Sequence, residues 1–162
     1  MSDRVATSRR IAAPASVIFA VVSDPVGHVR IDGSGMLVAS DGPARLSAVG
    51  DAFEMDMDRE PLGDLPLGRY RVRNVVTRIE PDALIEWSVA GVGRSPIGHV
   101  YGYELAAVSA EETEVTSYCD WSAISPKWRE RVSWPVVPVH MLARSLENLA
   151  RLVTGQSTVD AK

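Results

Sequence analysis

Between Met36 and Ser122 the chain breaks into segments in which apolar and polar side chains alternate, separated by clusters of turn residues. A period of two belongs to strands with one buried face, so this region predicts a succession of antiparallel strands. "DAFEMDMD" sets Phe53, Met55 and Met57 against Glu54, Asp56 and Asp58. "RYRVRNVVTRIE" and "ALIEWSVAG", joined by Pro81 and Asp82, read as one hairpin; "IGHVYGYELAAV" and "TEVTSYCDWSA", joined across Ser109-Ala110-Glu111-Glu112, read as a second. An opening strand is expected over Val5–Ile11. Pro14 follows it as a first helical residue, with Val17, Ile18, Val21 and Val22 on one stripe, and Asp24-Pro25 as the stop. "HVRIDGSG" is a second short helix or turn. The end of the chain changes period: Leu142, Leu146, Leu149 and Val153 recur at steps of four, three and four, opposite Arg144, Glu147, Asn148 and Arg151. That is one long amphipathic helix, begun or kinked by Pro135 and Pro138 and stopped by Gly155.

One segment does not fit a plain half-buried strand. In "GHVYGYELAAV" one face carries His99, Tyr101, Tyr103, Leu105 and Ala107, and the other Gly98, Val100, Gly102, Glu104, Ala106 and Val108. A row with an imidazole and two phenols needs buried hydrogen-bond partners or something to bind.

Length and composition narrow the setting. A chain of 162 residues suits a single domain, expected here over 1–162, with an ordered core from about 5 to 155 and a loose tail. No apolar run approaches the ~18–20 residues of a membrane span, and no export signal is visible, so a cytoplasmic protein without membrane insertion is expected. The net charge of -4 argues against nucleic acid as a partner. The single cysteine, Cys119, excludes an internal disulfide or a CxxC pair.

Several local patterns bear on chemistry. His28 and Asp32 are four apart and would share a helix face; a local histidine–carboxylate contact near a cavity mouth is the expected role, and no metal is expected. "DMDRE" starts like a calcium loop, but Pro61 stands where the loop needs glycine. "GVGRSP" is half a dinucleotide fingerprint with Pro96 in place of the third glycine, hence a loop. Cys119 is expected to be buried filler, and Trp121, Trp128 and Trp134 to pack around a proline-rich segment.

The wording "IAAPASVIFAVVSDP", "VGDAFEM", "VVTRIEPDALIEW" and "SLENLARLV", in this order of elements, resembles the START-like superfamily, in particular the polyketide cyclase/dehydrase and lipid-transport group known as SRPBCC. The resemblance covers Val5 to Val153. It implies an α+β helix-grip fold: a curved antiparallel β-sheet wrapped around the long C-terminal α-helix, two short helices near the N-terminus, and a deep hydrophobic cavity between sheet and helix. The expected ligand-binding set is then His28, Asp32, Met55, Met57, Trp87, His99, Tyr101, Tyr103, Cys119, Leu142, Leu146 and Leu149, with no cofactor. The expected partner is a hydrophobic or aromatic small molecule, lipid- or polyketide-like, held by a monomer or homodimer. Two alternatives stand beside this binder: a cyclase/dehydratase in which His99 or His28 shuttles protons, and an interaction module using the charged loop "DREPLGDLPLGRYR".

Overall fold

The computed structural model describes residues 2–155; the tail expected after Gly155 lies outside them. Seven antiparallel strands form one sheet: β1 (Arg4–Ile11), β2 (Leu37–Ser40), β3 (Ala52–Asp58), β4 (Arg69–Glu80), β5 (Leu84–Gly91), β6 (Val100–Ser109) and β7 (Glu112–Asp120). They lie in the order β1-β7-β6-β5-β4-β3-β2, so every step from β2 to β7 joins neighbours and only β1 is reached from the far end of the chain. Both expected hairpins are present, β4 with β5 and β6 with β7. The helices are α1 (Ala15–Val22), α2 (Pro25–Ile31), α3 (Pro126–Arg131) and α4 (Val139–Thr154).

Three boundaries differ from the reading of the sequence, each for a local reason. Pro25 opens α2 as well as ending the previous helix, because the Asp24 side chain accepts a hydrogen bond from the Val26 amide at 2.9 Å and caps the new helix. The buried stripe of α1 is Ile18, Phe19 and Val22, and Val17 is exposed; the helix is rotated so that its aromatic residue faces inward. β6 begins at Val100, one residue after His99, since Gly98 at φ 115° breaks the extended run. Helix α3 has no counterpart in the hydrophobic pattern, because "PKWRER" is too short to display a period.

Helix α4 packs on β1 and β7 and on α1 and α2, at one end of the sheet. Its buried residues Leu146 and Leu149 join Ile18, Val22, Ile85 and Val115 in the main core, all of them at most 1% exposed. Its start is fastened to the segment after α2. Ser145 Oγ accepts the Gly33 amide at 2.8 Å, Arg144 donates to the Gly33 carbonyl at 3.2 Å, and Asn148 donates to the Ile31 carbonyl at 3.0 Å. Over β3 to β6 the concave face is therefore left clear of most of α4, with α1 against β6 and His28 of α2 stacked on Trp87.

Candidate ligand-binding cavity

This part of the concave face encloses a cavity of about 1030 Å³. Period-two alternation supplies its floor: Met55 and Met57 from β3, Tyr70, Val72 and Asn74 from β4, Trp87 and Val89 from β5, Tyr101 and Tyr103 from β6. Cross-strand register aligns them, with Met55 opposite Val72, Met57 opposite Tyr70 and Trp87 opposite Tyr101. His28 and Asp32 close one side, and Leu142 and Ser145 of α4 another. Around the rim stand Arg59, Leu65 and Leu67, the loop from Val92 to Gly98, and Trp128, Trp134 and Val136.

Of the twelve residues expected at a binding site, nine line this one cavity: His28, Asp32, Met55, Met57, Trp87, His99, Tyr101, Tyr103 and Leu142. Cys119, Leu146 and Leu149 do not. The two leucines lie on the part of α4 pressed against β1 and α1, and Cys119 packs with Trp121 and Ile124 in a separate small cluster. The Cys119 thiol is pushed up to about 12 by burial, which suits inert filler.

The expected contact between His28 and Asp32 is absent. His28 Nε2 lies 2.6 Å from the Val22 carbonyl, which can only accept, so the proton sits on Nε2. Its ring stacks on Trp87 at 4.6 Å. Burial lowers the His28 pKa, and the ring is a neutral part of the wall. Asp32 instead ties down the turn after α2, accepting from the Ser34 amide and hydroxyl at 2.9 and 2.7 Å and from the Leu37 amide at 3.1 Å.

The row singled out in the sequence is set edge to face and in stacks. His99 meets Tyr101 at 5.6 Å and Trp134 at 4.8 Å, and Trp87 lies 6.4 and 6.1 Å from Tyr101 and Tyr103. Trp134 in turn stacks on Trp121 at 6.2 Å and donates to the Trp128 carbonyl, so the tryptophans pack together and also border the cavity. Burial raises the pKa of Tyr101 and Tyr103 well beyond the ordinary phenol range, with the Cys119 thiol adding to the first and the Asp32 charge to the second.

Two residues of consequence went unmarked in the sequence. Arg59, only 7% exposed, turns inward from the charged loop and is clasped by Asp64 in two 2.8 Å hydrogen bonds. Asn74 occupies an inward position between Val72 and Val76. The alternation of β4 carried that signal, an amide on an otherwise apolar face; Arg59 sits in a loop, where no period marks it. Burial and the charge of Arg59 lower the His99 pKa to about 4, so its imidazole is uncharged at neutral pH. Among the described residues no group of three or more His, Cys, Asp or Glu is placed to hold a metal ion, and no helix is long and apolar enough to cross a membrane.

The shift of His99 has a sign that can be measured. In the unfolded chain the ring titrates near 6.5, in the folded chain near 4. Above 6.5 both states are neutral and nothing changes. Between 6.5 and 4 the unfolded chain binds a proton that the folded chain refuses, so stability falls with pH and levels off below 4. Relative to a His99→Phe variant, the parent should lose about 2–3 kcal/mol between pH 7 and about pH 4.5. Parallel urea melts at the two pH values measure this; equal slopes in parent and variant would place His99 in water.

Comparison with known proteins agrees with this geometry at the level of architecture. No family model matches the chain. The uncharacterized protein Rv0088 of Mycobacterium tuberculosis is 38% identical over 121 residues, 74% of this chain and 48% of the relative. The chain thus spans about half the length of the curated relatives it matches. Among solved structures, the Zhui aromatase/cyclase of Streptomyces sp. R1128 has a TM-score of 0.65 at 13% identity, covering 93% of both chains. Norcoclaurine synthase of Thalictrum flavum, in complex with dopamine and hydroxybenzaldehyde, has a TM-score of 0.62 at 14% identity, covering 98% of this chain and 90% of that one. Identities this low speak for the fold alone, and they agree with the strand order, the position of α4 and the two short helices: the chain has the α+β helix-grip fold that these structures share.

Proposed function

We propose that this protein binds a hydrophobic, aromatic small molecule in the cavity between the sheet and α4. The observation that carries the reading is the cavity itself: about 1030 Å³, walled by Met55, Met57, Val72, Trp87, Val89 and Tyr101, with a few polar groups among them. Ligand sites have this composition, apolar walls with a small number of placed polar atoms, and the volume suits a molecule of two to four rings. The structural likeness to an enzyme crystallised with two small aromatic molecules points the same way.

Proton shuttling is the weaker reading for the same groups. A general acid or base works best with a pKa near the operating pH, whereas His99 is pushed far below neutrality and Tyr101 and Tyr103 far above it. The charged loop from Asp58 to Arg71 also serves the cavity more than an external partner, since Arg59, Leu65, Leu67 and Tyr70 all border it.

Titration with naphthalene, followed by quenching of tryptophan fluorescence, tests the binder. Saturable one-to-one binding is expected. Trp87→Ala, which removes the ring at the centre of the aromatic wall, should weaken it by about 10- to 100-fold. Linear, unsaturable quenching in the parent would refute the reading.

A further inference from the structure

Three segments distant in the sequence meet at the mouth of the cavity. The lining residues that are themselves exposed mark that opening: Leu65 and Leu67 on one segment, Val92, Arg94 and Pro96 on the second, Ser125 on the third. Leu65 and Leu67, 37% and 53% exposed, are the only exposed leucines among the described residues, and Val92 at the same opening is 49% exposed. Exposed apolar side chains scattered singly are ordinary, but a group of them around an apolar cavity marks a surface that something covers. The same segments are basic. Residues 58–71, 91–98 and 125–139 hold seven cations and four carboxylates, a net +3 in a chain of net charge -4. Arg59, Arg71 and Arg129 are taken by carboxylates, whereas Arg94, Lys127 and Arg131 make no ion pair among the described residues. Lys127 and Arg131 stand over Trp128, 5.9 and 6.0 Å from the centre of its ring, and Trp128 borders the cavity.

The shape and charge of this rim select what covers it. A folded protein partner needs a continuous complementary surface, and apolar side chains set around an opening offer it only a ring. A second copy of this chain, docked mouth to mouth, would set Arg94, Lys127 and Arg131 against their own kind across the two-fold axis. A fluid bilayer conforms to a ring, takes aliphatic tips into its headgroup region, and carries negative charge where it contains anionic lipid. Tryptophan beside cations is the pairing such an interface favours, an amphipathic ring at headgroup depth with ammonium and guanidinium groups against phosphate.

We propose that the rim of the cavity docks on an anionic phospholipid bilayer, with Leu65, Leu67 and Val92 entering the headgroup region and Arg94, Lys127 and Arg131 meeting lipid phosphates. The contact is peripheral, since no helix among the described residues is long and apolar enough to cross. Docked this way, the mouth opens toward the acyl chains, and an apolar molecule passes between bilayer and cavity without crossing water. The docking surface goes beyond the ligand reading and stands apart from it: vesicle binding needs no ligand, and naphthalene binding needs no vesicle.

The test is cosedimentation of the intact protein with two kinds of vesicle, phosphatidylcholine alone and phosphatidylcholine with roughly one-third phosphatidylglycerol. The anionic vesicles should bind at least about tenfold more tightly, with the difference shrinking as salt is added. Lys127→Gln with Arg131→Gln should weaken binding to them by about 10- to 30-fold, since each cation at an anionic surface contributes about fivefold. Leu65→Ser with Leu67→Ser should weaken it by about tenfold or more through lost apolar burial. Val49→Ser, at an equally exposed apolar side chain on another loop, and Arg9→Gln, at an exposed cation on β1, should each stay within about twofold of the parent. No partition onto the anionic vesicles overturns the proposal and leaves the rim to a protein partner. Binding that survives both double substitutions, or that falls equally in the two control variants, overturns it as well. All the substituted side chains lie at the surface; should one pair fail to fold, the other pair decides.

Discussion

Replacing Leu149 with alanine is expected to cost about 3–5 kcal/mol of folding stability. The side chain is fully buried, on the face of α4 that meets α1 and β1, among Ile18, Val22, Val115 and Leu146. It does not border the ligand cavity, so the void left by its removal cannot merge with existing space or fill from it. The surrounding residues belong to three different elements and cannot collapse together without moving a helix. That places the cost in the upper part of the range for large-to-small core changes. Chemical denaturation of parent and variant measures it; a loss below about 1 kcal/mol would mean that α4 does not anchor the fold.

Gly33→Ala should be nearly as damaging, about 2–4 kcal/mol, for the opposite reason. A Cβ at that position would sit 2.7 Å from the Ser145 amide nitrogen and 2.7 Å from Arg144 Cβ, and close to the Met141 carbonyl. These are backbone atoms and the root of a side chain, so relief requires lifting the start of α4 away from the loop. The shift would stretch the Gly33–Ser145 and Arg144–Gly33 hydrogen bonds. Ser145→Ala, which removes one bond without crowding, should cost only about 1–2 kcal/mol. Equal losses in the two variants would show that the hydrogen bond, and not the close approach, is what matters. Amide exchange over Val139–Ser145 gives an independent readout, faster in the alanine variant at Gly33.

The elements most open to reading from sequence were the long ones. The twelve residues of β4 and the sixteen of α4 repeat their period often enough to fix both type and face. The same alternation in the shorter strands β3, β5 and β6 points Met55, Trp87, Tyr101 and Tyr103 inward, and all four line the cavity. Periodicity says inside or outside but not which part of the inside. Leu142 and Leu146 lie one turn apart on the same stripe, yet the first borders the cavity and the second the core, a difference set by where α4 crosses the sheet. His28 and Asp32 show a second limit. Their spacing allows a mutual contact, but the carboxylate is taken by the Ser34 and Leu37 amides and the imidazole by Val22. Backbone groups compete for polar side chains, and one-dimensional spacing cannot count them. Arg59 lies in a loop, where position depends on the Asp64 clasp and no repeat announces it.

The placement of α4 at one end of the sheet has a consequence for how such a chain can change over generations. The residues that hold the helix, Leu146, Leu149, Ile18, Val22 and Val115, do not border the cavity, whereas Val72, Asn74, Val89 and His99 line it, with Val72 and Val89 joining the two through the continuous core. Substitutions in separate neighbourhoods combine almost additively, so selection can rework the cavity face while drawing little on the stability held in the block. A fold built this way can change the chemistry of its cavity wall by a few substitutions on the central strands while the residues that hold α4 stay in place.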